Sequence, residues 1–256
     1  MKYLITLLTA VGGIAALSAP AIAAGSGKNA EPVKNIVLVH GAFADGSGWR
    51  GVADILTHDG YYVTVVQEPE TTLKDDVAAT QRAIAQSDGP VILVGHSYGG
   101  VVITQAGNVP QVRGLVYIAA IAPEAGEKLQ DLRDKFAPAT NNVTKSADGF
   151  LTLDRATFRH DFAADLPPAT AAFMAQSQVP ISAEAIATPV TEAAWQSKPS
   201  WYAVAKQDMK INPDLERFMA KRAGSTTVEI AGSHSIYASQ PQAVARLIEE
   251  AARGAR

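Results

Sequence analysis

Hydrophobic and polar positions along this chain follow a regular order of short apolar runs and longer amphipathic segments. Residues 35–39, 91–94 and 112–118 are almost entirely apolar over the length of a strand, which is typical of strands buried on both faces of a sheet. The predicted elements are strands over residues 35–39, 61–66, 91–94, 112–118, 200–205 and 226–230, and helices over residues 47–58, 73–87, 98–107, 214–223 and 240–252. This order predicts an α/β fold in which a mostly parallel sheet carries helices on both faces.

Residues 123–195 interrupt the alternation. They are rich in Ala and Pro, contain helical patches and include most of the phenylalanines of the chain. Because structureless loops of this length are uncommon in compact domains, we expect this segment to be an inserted helical cap.

The first residues have the pattern of an export signal. Lys2 gives a positive start, residues 4–17 are almost wholly apolar, and a small-x-small cleavage sequence, AIA, follows. We therefore predict a signal peptide over residues 1–23, a flexible segment over residues 24–33 and one α/β domain over residues 34–256. The expected location is periplasmic or secreted, without stable membrane association after cleavage. Retention of the apolar segment as a membrane anchor is the alternative.

Composition narrows the classes of function. The chain has 256 residues, 47% of them hydrophobic, which is enough to bury one substantial core. Its formal net charge of −3 is spread without long blocks of like charge, so nucleic acid is not an expected partner. The absence of cysteine excludes disulfides, and the five histidines do not have metal-ligand spacing, so no metal site is predicted.

The most informative motif is GHSYGG at residues 95–100, which directly follows an apolar run. A strand, a tight turn and a helix in this order form a nucleophile elbow, which exposes a serine at the carboxyl end of the strand. Side chains at Gly95 or Gly99 would collide where the strand and helix backbones meet. Ser97 is therefore the predicted nucleophile.

A nucleophilic serine needs a histidine to accept its proton and a carboxylate to orient that histidine. Both partners should follow strands at the same sheet edge as Ser97. Asp208 and His234 each follow one of the last two predicted strands, and the chain order Ser97, Asp208, His234 is the order found in α/β-hydrolases. Glu124, which also lies just past a strand, is the alternative acid.

An oxyanion hole requires one backbone N–H from the residue after the nucleophile and another from the loop after the first central strand. Tyr98 supplies the first of these groups. The sequence HGAF at residues 40–43 follows the first predicted strand, and we assign the second N–H to Ala42. His40 is expected to be structural rather than catalytic.

These motifs together resemble the α/β-hydrolase superfamily: HGA at residues 40–42, GHSYGG at residues 95–100, Asp208, and His234 with a Ser-Gln-Pro sequence a few residues later. Over about residues 34–252 the chain is similar to the small branch that contains plant methylesterases, hydroxynitrile lyases and many bacterial hydrolases. The resemblance implies about six parallel strands rather than eight.

Two departures from that branch limit the activity. Its hydroxynitrile lyases have Thr where this chain has Gly41, and Lys, which handles cyanide, where this chain has Ser235. Lyase activity is therefore not expected. The loop over residues 43–49 has Asp45 and Gly46 in place of the His and Cys usual in the plant enzymes, so the plant substrates are not implied.

A dinucleotide site is the alternative interpretation of residues 46–51, whose sequence GSGWRG matches G-x-G-x-x-G before a predicted helix. Glu68 lies at the distance expected of a ribose ligand. However, the first glycine lies several residues beyond the strand end at Val39, whereas a pyrophosphate-binding turn begins almost at once. We therefore expect no cofactor.

The combined expectation is a serine esterase that cleaves small apolar or aryl carboxylic esters through an acyl-enzyme. The apolar cap residues indicate a dry pocket, with Phe43 and Trp195 as substrate contacts. Lactone hydrolysis, perhydrolysis and acyl transfer on the same triad remain alternatives, as do cofactor-free oxygenation and non-catalytic binding of a small molecule. The protein is expected to be a monomer or a homodimer.

Overall fold

The computed structural model describes residues 32–255, together with Met1 and Tyr3. The chain divides into two units, Met1–Ala30 and Glu31–Arg256, and the α/β fold is that of the second unit. The predicted signal peptide over residues 1–23 and the flexible segment over residues 24–33 lie almost wholly outside the described residues, so both stay predictions.

A six-stranded parallel sheet forms the centre of the fold. The strands in chain order are β1 (Asn35–Val39), β2 (Tyr62–Val65), β3 (Val91–Ser97), β4 (Val112–Ala120), β5 (Val143–Lys145), β6 (Phe150–Leu153), β7 (Ile181–Ser182), β8 (Ser200–Ala205) and β9 (Thr226–Ile230). β2, β1, β3, β4, β8 and β9 lie side by side in that order, and each neighbouring pair is parallel. The prediction of about six mostly parallel strands is confirmed.

Helices cover both faces of this sheet, as predicted. The α-helices in chain order are α1 (Arg50–His58), α2 (Leu73–Ala85), α3 (Gly99–Ala106), α4 (Leu129–Lys135), α5 (Phe158–Phe162), α6 (Pro168–Gln176), α7 (Ala183–Ala187), α8 (Pro213–Arg222), α9 (Ile236–Ser239) and α10 (Pro241–Gly254). Successive residues of β1 point to opposite faces. Ile36 and Leu38 belong to the hydrophobic cluster of α1 and α10, whereas Val37 and Val39 belong to that of α2, α3 and α8.

Local capping chemistry fixes where the helices nearest the site begin. The Thr72 side chain accepts a hydrogen bond from the Asp75 N–H at the start of α2. The Asn212 side chain does the same for the Asp214 N–H at the start of α8, where Pro213 occupies the first helical position. These starts hold the preceding loops at the carboxyl edge of the sheet.

β3 is three residues longer than the apolar run at residues 91–94. Gly95 still pairs with β1, and Ser97 pairs with Ala120 of β4 after a register shift. The hydrophobic pattern did not predict this extension, because residues 95–97 are glycine and polar residues. The strand therefore delivers Ser97 directly to the carboxyl edge of the sheet.

The segment over residues 123–195 contains helices α4 to α7, as predicted, and also a small antiparallel sheet of β5, β6 and β7 that was not predicted. These strands have two to four residues each, too few for an alternating pattern to be visible. The cap has a hydrophobic cluster of its own, with Phe158 and Phe162 fully buried in it.

Among the described residues, no helix combines the length and the apolar character that crossing a membrane requires.

Candidate active site

Ser97 lies on a strained turn between β3 and α3. Its backbone φ is +53°, in the left-handed region that residues other than glycine rarely adopt. The turn needs glycine at close approaches: a Cβ at Gly95 would lie 2.5 Å from the Gly99 carbonyl oxygen, and one at Gly99 would lie 2.4 Å from that of His40. The geometry is that of a nucleophile elbow.

Asp208, His234 and Ser97 form one continuous chain of hydrogen bonds. The His234 Nε2 lies 2.9 Å from the Ser97 Oγ, and its Nδ1 lies 2.5 Å from Asp208 Oδ2. Both Asp208 and His234 are almost fully buried. The carboxylate accepts from Nδ1–H, which leaves Nε2 as a proton acceptor facing the serine hydroxyl.

The loop after β8 holds the Asp208 carboxyl group in position through backbone hydrogen bonds. Its second oxygen, Oδ1, accepts backbone N–H groups from Lys210 at 2.7 Å and from Ile211 at 2.8 Å. The alternative acid, Glu124, is exposed at the start of the cap, where its own N–H bonds to Glu127.

The two N–H groups assigned to the oxyanion hole flank the serine. Tyr98 precedes the first turn of α3, where backbone N–H groups are unpaired and the helix dipole favours negative charge. The loop after β1 passes so close to the nucleophile that a Cβ at Gly41 would lie 2.6 Å from the Ser97 Cβ. Within the described residues, neither the Ala42 nor the Tyr98 N–H donates to a protein acceptor.

His40 is a buried link in this loop. Its Nε2 accepts from the Glu68 N–H at 3.0 Å, so the ring proton is on Nδ1, which lies 3.1 Å from the Gly41 carbonyl oxygen. Burial lowers the His40 pKa and keeps the ring neutral. His40 thus connects the loop after β1, residues 40–45, which we call the oxyanion loop, to the segment after β2.

Three buried carboxyl groups lie behind the oxyanion loop, and sequence reasoning missed them as a group: Glu68, Glu70 and Asp76. Asp76 accepts from the Glu70 N–H and from the Tyr98 hydroxyl, each at 2.8 Å. It therefore ties an oxyanion-hole residue to the loop after β2. The signal in the sequence was the helical spacing that places Asp76 on the same face of α2 as Leu73 and Thr80, which are buried.

The protonation of Glu70 follows from its surroundings. Burial, together with the neighbouring carboxyl groups of Glu68 and Asp76, raises its pKa to about 10. Its backbone is also in the left-handed region, with φ of +52°. Glu70 is therefore a neutral acid at physiological pH.

His96 is a second buried histidine that supports the site. Its Nε2 lies 2.9 Å from the carbonyl oxygen of His234, and its ring packs against those of His234 and Tyr237. Burial lowers the His96 pKa well below its usual value. In the sequence, His96 occupies the variable position between Gly95 and Ser97 and carries no signal of this role.

The glycines of the alternative dinucleotide motif pack against protein side chains. The Gly46 N–H donates to the Gln67 side chain at 3.2 Å, and a Cβ at Gly48 would lie 2.6 Å from the Tyr237 ring. Glu68 is buried and accepts from the Thr80 hydroxyl. The glycines and the glutamate of this motif are thus engaged in contacts within the protein. Within residues 32–255, no cluster of metal-ligating side chains is found either.

A cavity of about 290 Å³ opens onto Ser97 and His234. Its walls come from the oxyanion loop, α3, the loop before α8 and the cap, and most of its lining is apolar. The lining side chains beside the triad include Phe43, Val101, Ile121, Leu129, Phe136, Val143, Leu151, Phe162, Ile186, Ile211 and Leu215. A small apolar group bound here would lie beside the serine.

The two predicted substrate contacts differ in position. Phe43 lines the cavity, as expected. The prediction for Trp195 requires correction, because this side chain is outside the described lining of the cavity. Trp195 packs in the main hydrophobic core, and its indole N–H donates to the Pro123 carbonyl at 2.8 Å. An aromatic residue at a cap boundary can serve the core as readily as the pocket, and the sequence does not distinguish the two.

The position that holds a lysine in the related lyases is Ser235 in this chain. The Ser235 side chain is buried and donates to the Phe162 carbonyl at 2.8 Å. It therefore presents no cation to the cavity at that position.

Comparison with known proteins agrees with this geometry. The family model described as "Alpha/beta hydrolase family" matches residues 36–247. This chain belongs to the alpha/beta hydrolase family. The fold is similar to that of a methylesterase from Arabidopsis, with a TM-score of 0.73 at 16% identity, covering 86% of this chain and 98% of that one.

Curated relatives of this alpha/beta hydrolase carry hydrolase and esterase names. The alpha/beta hydrolase nvfD of Aspergillus novofumigatus is 27% identical, over 85% of this chain and 96% of its own. The pyrethroid hydrolase of Sphingobium wenxiniae is 28% identical, over 85% and 87%. The carbendazim hydrolyzing esterase of a Nocardioides species is 36% identical over 41% of this chain and 49% of its own. These relatives support ester hydrolysis as the general chemistry.

Proposed function

We propose that this protein is a serine hydrolase that cleaves small apolar or aryl carboxylic esters through an acyl-enzyme intermediate. The observation that carries the proposal is the unbroken hydrogen-bond chain from Asp208 through His234 to Ser97, at the wall of an apolar cavity. A serine hydroxyl is unreactive at neutral pH without such a base, and this arrangement supplies it.

The reaction has two halves. Ser97 Oγ attacks the ester carbonyl carbon while His234 Nε2 takes its proton, and the carbonyl oxygen becomes an oxyanion held by the Ala42 and Tyr98 N–H groups. When the tetrahedral intermediate collapses, the alcohol leaves with the proton from His234. Water then attacks the acyl-serine by the same route, which releases the carboxylic acid and restores the serine.

The ionised Asp208 stabilises the imidazolium that forms in each half of the cycle. It also fixes the His234 tautomer, because its Oδ2 accepts the Nδ1 proton. The neighbouring backbone N–H groups hold the carboxylate in place, so no reorganisation is needed during the reaction.

Steady-state kinetics with 4-nitrophenyl butyrate test the proposal. The parent protein is expected to hydrolyse this ester, and Ser97→Ala is expected to lose at least about 10⁴-fold in kcat, because the nucleophile is removed. Ser177→Ala is the matched control, since Ser177 caps α6 and does not line the cavity. Equal turnover by Ser97→Ala and the parent would refute the serine mechanism.

We also propose that the protein is exported and that the segment over residues 1–23 is removed. Expression of the full chain in a Gram-negative host, followed by fractionation and intact-mass measurement, tests this. The expected product is periplasmic or extracellular and begins at Ala24. A full-length chain retained in the membrane fraction would contradict cleavage and favour an anchor.

A further inference from the structure

The mostly apolar cavity is also lined by two cationic side chains, Lys210 and Arg133. Lys210 is only 6% exposed, and its Nζ is enclosed without a hydrogen-bond acceptor among the described residues. Arg133 is half-buried. Within the described part of the chain, neither side chain forms an ion pair. Unpaired buried charge is costly, so proteins that retain it generally use it.

The acids nearest to Lys210 are already engaged. Asp161 accepts from the Asn142 side chain at 2.7 Å and from the His160 ring at 2.8 Å. The Asp208 carboxylate is bound by His234 and by two backbone N–H groups. These carboxylates favour a positive charge on Lys210 from a distance, while burial and the nearby Arg133 lower its pKa. The ammonium therefore lacks a direct partner.

The two cations reach the cavity from different elements of the fold. Lys210 lies two residues after the proposed triad acid, Asp208. Its backbone N–H donates to the Asp208 carboxylate, so the lysine backbone is in direct contact with the triad. Arg133 lies on α4 of the cap. Both line the cavity that holds Ser97 and His234. An anion bound between them would share one cavity with the reacting ester.

We propose that Lys210 and Arg133 form a subsite for a carboxylate on the substrate, so that the preferred esters are half-esters of dicarboxylic acids. This inference rests on the proposed ester hydrolysis and names its substrate class. A carboxylate matches the planar guanidinium in shape and adds the acceptor that the enclosed ammonium lacks. The apolar side chains that line the same cavity would contact the methylene chain of such a substrate.

A matched pair of substrates tests the subsite: monomethyl adipate, which carries a free carboxylate, and methyl hexanoate, which has the same acyl length without it. The measured quantity is the kcat/KM for monomethyl adipate divided by the kcat/KM for methyl hexanoate. In Lys210→Met this ratio is expected to fall at least about tenfold, mainly through the KM of the half-ester, because a hydrogen bond to a charged group is lost. Arg133→Met should lower it in the same direction, and Lys210→Arg should keep most of it.

Lys206→Met is the matched control. Lys206 is an exposed lysine of the same loop and does not line the cavity, so the ratio should stay at the parent value. Circular dichroism and the melting temperature check that each variant is folded. A ratio that is the same within twofold in the parent, Lys210→Met and Arg133→Met would overturn the subsite.

Binding without turnover separates failure of the subsite from failure of the proposed function. Calorimetry with Ser97→Ala should show tighter binding of monomethyl adipate than of methyl hexanoate, and Lys210→Met in that background should remove the difference. If the parent hydrolyses neither ester but this difference persists, the hydrolase proposal fails and the subsite stands. Equal binding of both esters by Ser97→Ala would refute the subsite even if the parent hydrolyses them.

Discussion

Glu216 lies beneath the proposed triad and extends the environment of Asp208. It is fully buried on α8, and its Oε2 accepts from the Ala205 N–H at 3.0 Å. Burial and the charge of Asp208 raise the Glu216 pKa well above its usual value, which favours the neutral form of this carboxyl group. A neutral carboxyl group here adds no repulsion to the ionised Asp208.

Substitution of Glu216 tests this protonation state. Glu216→Gln keeps a neutral group of the same shape, so its stability and ester turnover should stay close to those of the parent. Glu216→Ala leaves the buried Ala205 N–H without an acceptor and should lower the free energy of unfolding by about 1–3 kcal/mol. Urea denaturation measures both. Equal destabilisation by Gln and Ala would mean that Glu216 is ionised in the folded protein.

The role proposed for Asp208 predicts the effect of a single-atom change. In Asp208→Asn, an amide NH₂ group can replace the carboxylate oxygen that accepts from His234 Nδ1, which favours the tautomer with its proton on Nε2. The value of kcat should therefore fall about 10³-fold or more while the fold is retained. The initial rate on 4-nitrophenyl butyrate measures this. Asp88→Asn, at an exposed position, is the control and should retain the parent rate. A fall of less than tenfold in Asp208→Asn would exclude this role.

At the scale of elements, the sequence predicted the strands and turns whose residues form a recognisable pattern within one short segment of the chain. The buried strands β1, β3, β4 and β8 are nearly continuous apolar runs, and the elbow is a contiguous motif. The loop after β2 shows the opposite case. Its Glu-Pro-Glu sequence has the composition of a solvated loop, yet Glu68 and Glu70 are buried. Burial there depends on α2 and on the oxyanion loop packing over it, which local pattern does not encode.

That loop makes the stability of the protein depend on pH. Below the ordinary Glu pKa near 4.5, Glu70 is protonated in both the folded and the unfolded chain. Between there and pH about 10 the unfolded chain releases this proton and the folded chain keeps it, so stability falls as pH rises, by about 1.4 kcal/mol per pH unit. Glu70→Gln removes this proton release.

Melting temperatures at pH 5 and pH 9 measure the effect. The parent should lose stability between the two values, and Glu70→Gln should lose markedly less. Glu250→Gln, at an exposed position, is the control and should follow the parent. If Glu70→Gln and the parent decline in parallel, Glu70 is not the buried neutral acid described above.

At the scale of the whole molecule, the cavity belongs to both the sheet edge and the cap. Its shape depends on contacts between residues far apart in sequence. The sequence therefore brought out Ser97, Asp208 and His234, which hydrogen bonds join in the structure, more readily than the pocket. Phe43 and Trp195 illustrate this limit, because both are aromatic and both flank predicted elements, yet only Phe43 reaches the cavity. The cations Lys210 and Arg133 were not singled out, since neither lies in a motif.

The division between pocket and core predicts different effects for the two aromatic residues. Phe43→Ala should raise the KM for 4-nitrophenyl butyrate about tenfold, because an apolar wall contact is lost. Trp195→Phe should leave KM unchanged and lower the free energy of unfolding by about 1–2 kcal/mol, because the buried Pro123 carbonyl loses its donor. Kinetics and urea denaturation of both variants measure this. A raised KM in Trp195→Phe would indicate that Trp195 contacts the substrate after all.

The central claim is that Ser97 is an activated nucleophile, and intact-mass measurement after exposure to a fluorophosphonate tests it most directly. The parent is expected to gain the mass of one phosphonyl group, and Ser97→Ala is expected to gain none, because only a serine with a histidine base reacts. No adduct on the folded parent, or the same adduct on Ser97→Ala, would contradict the claim.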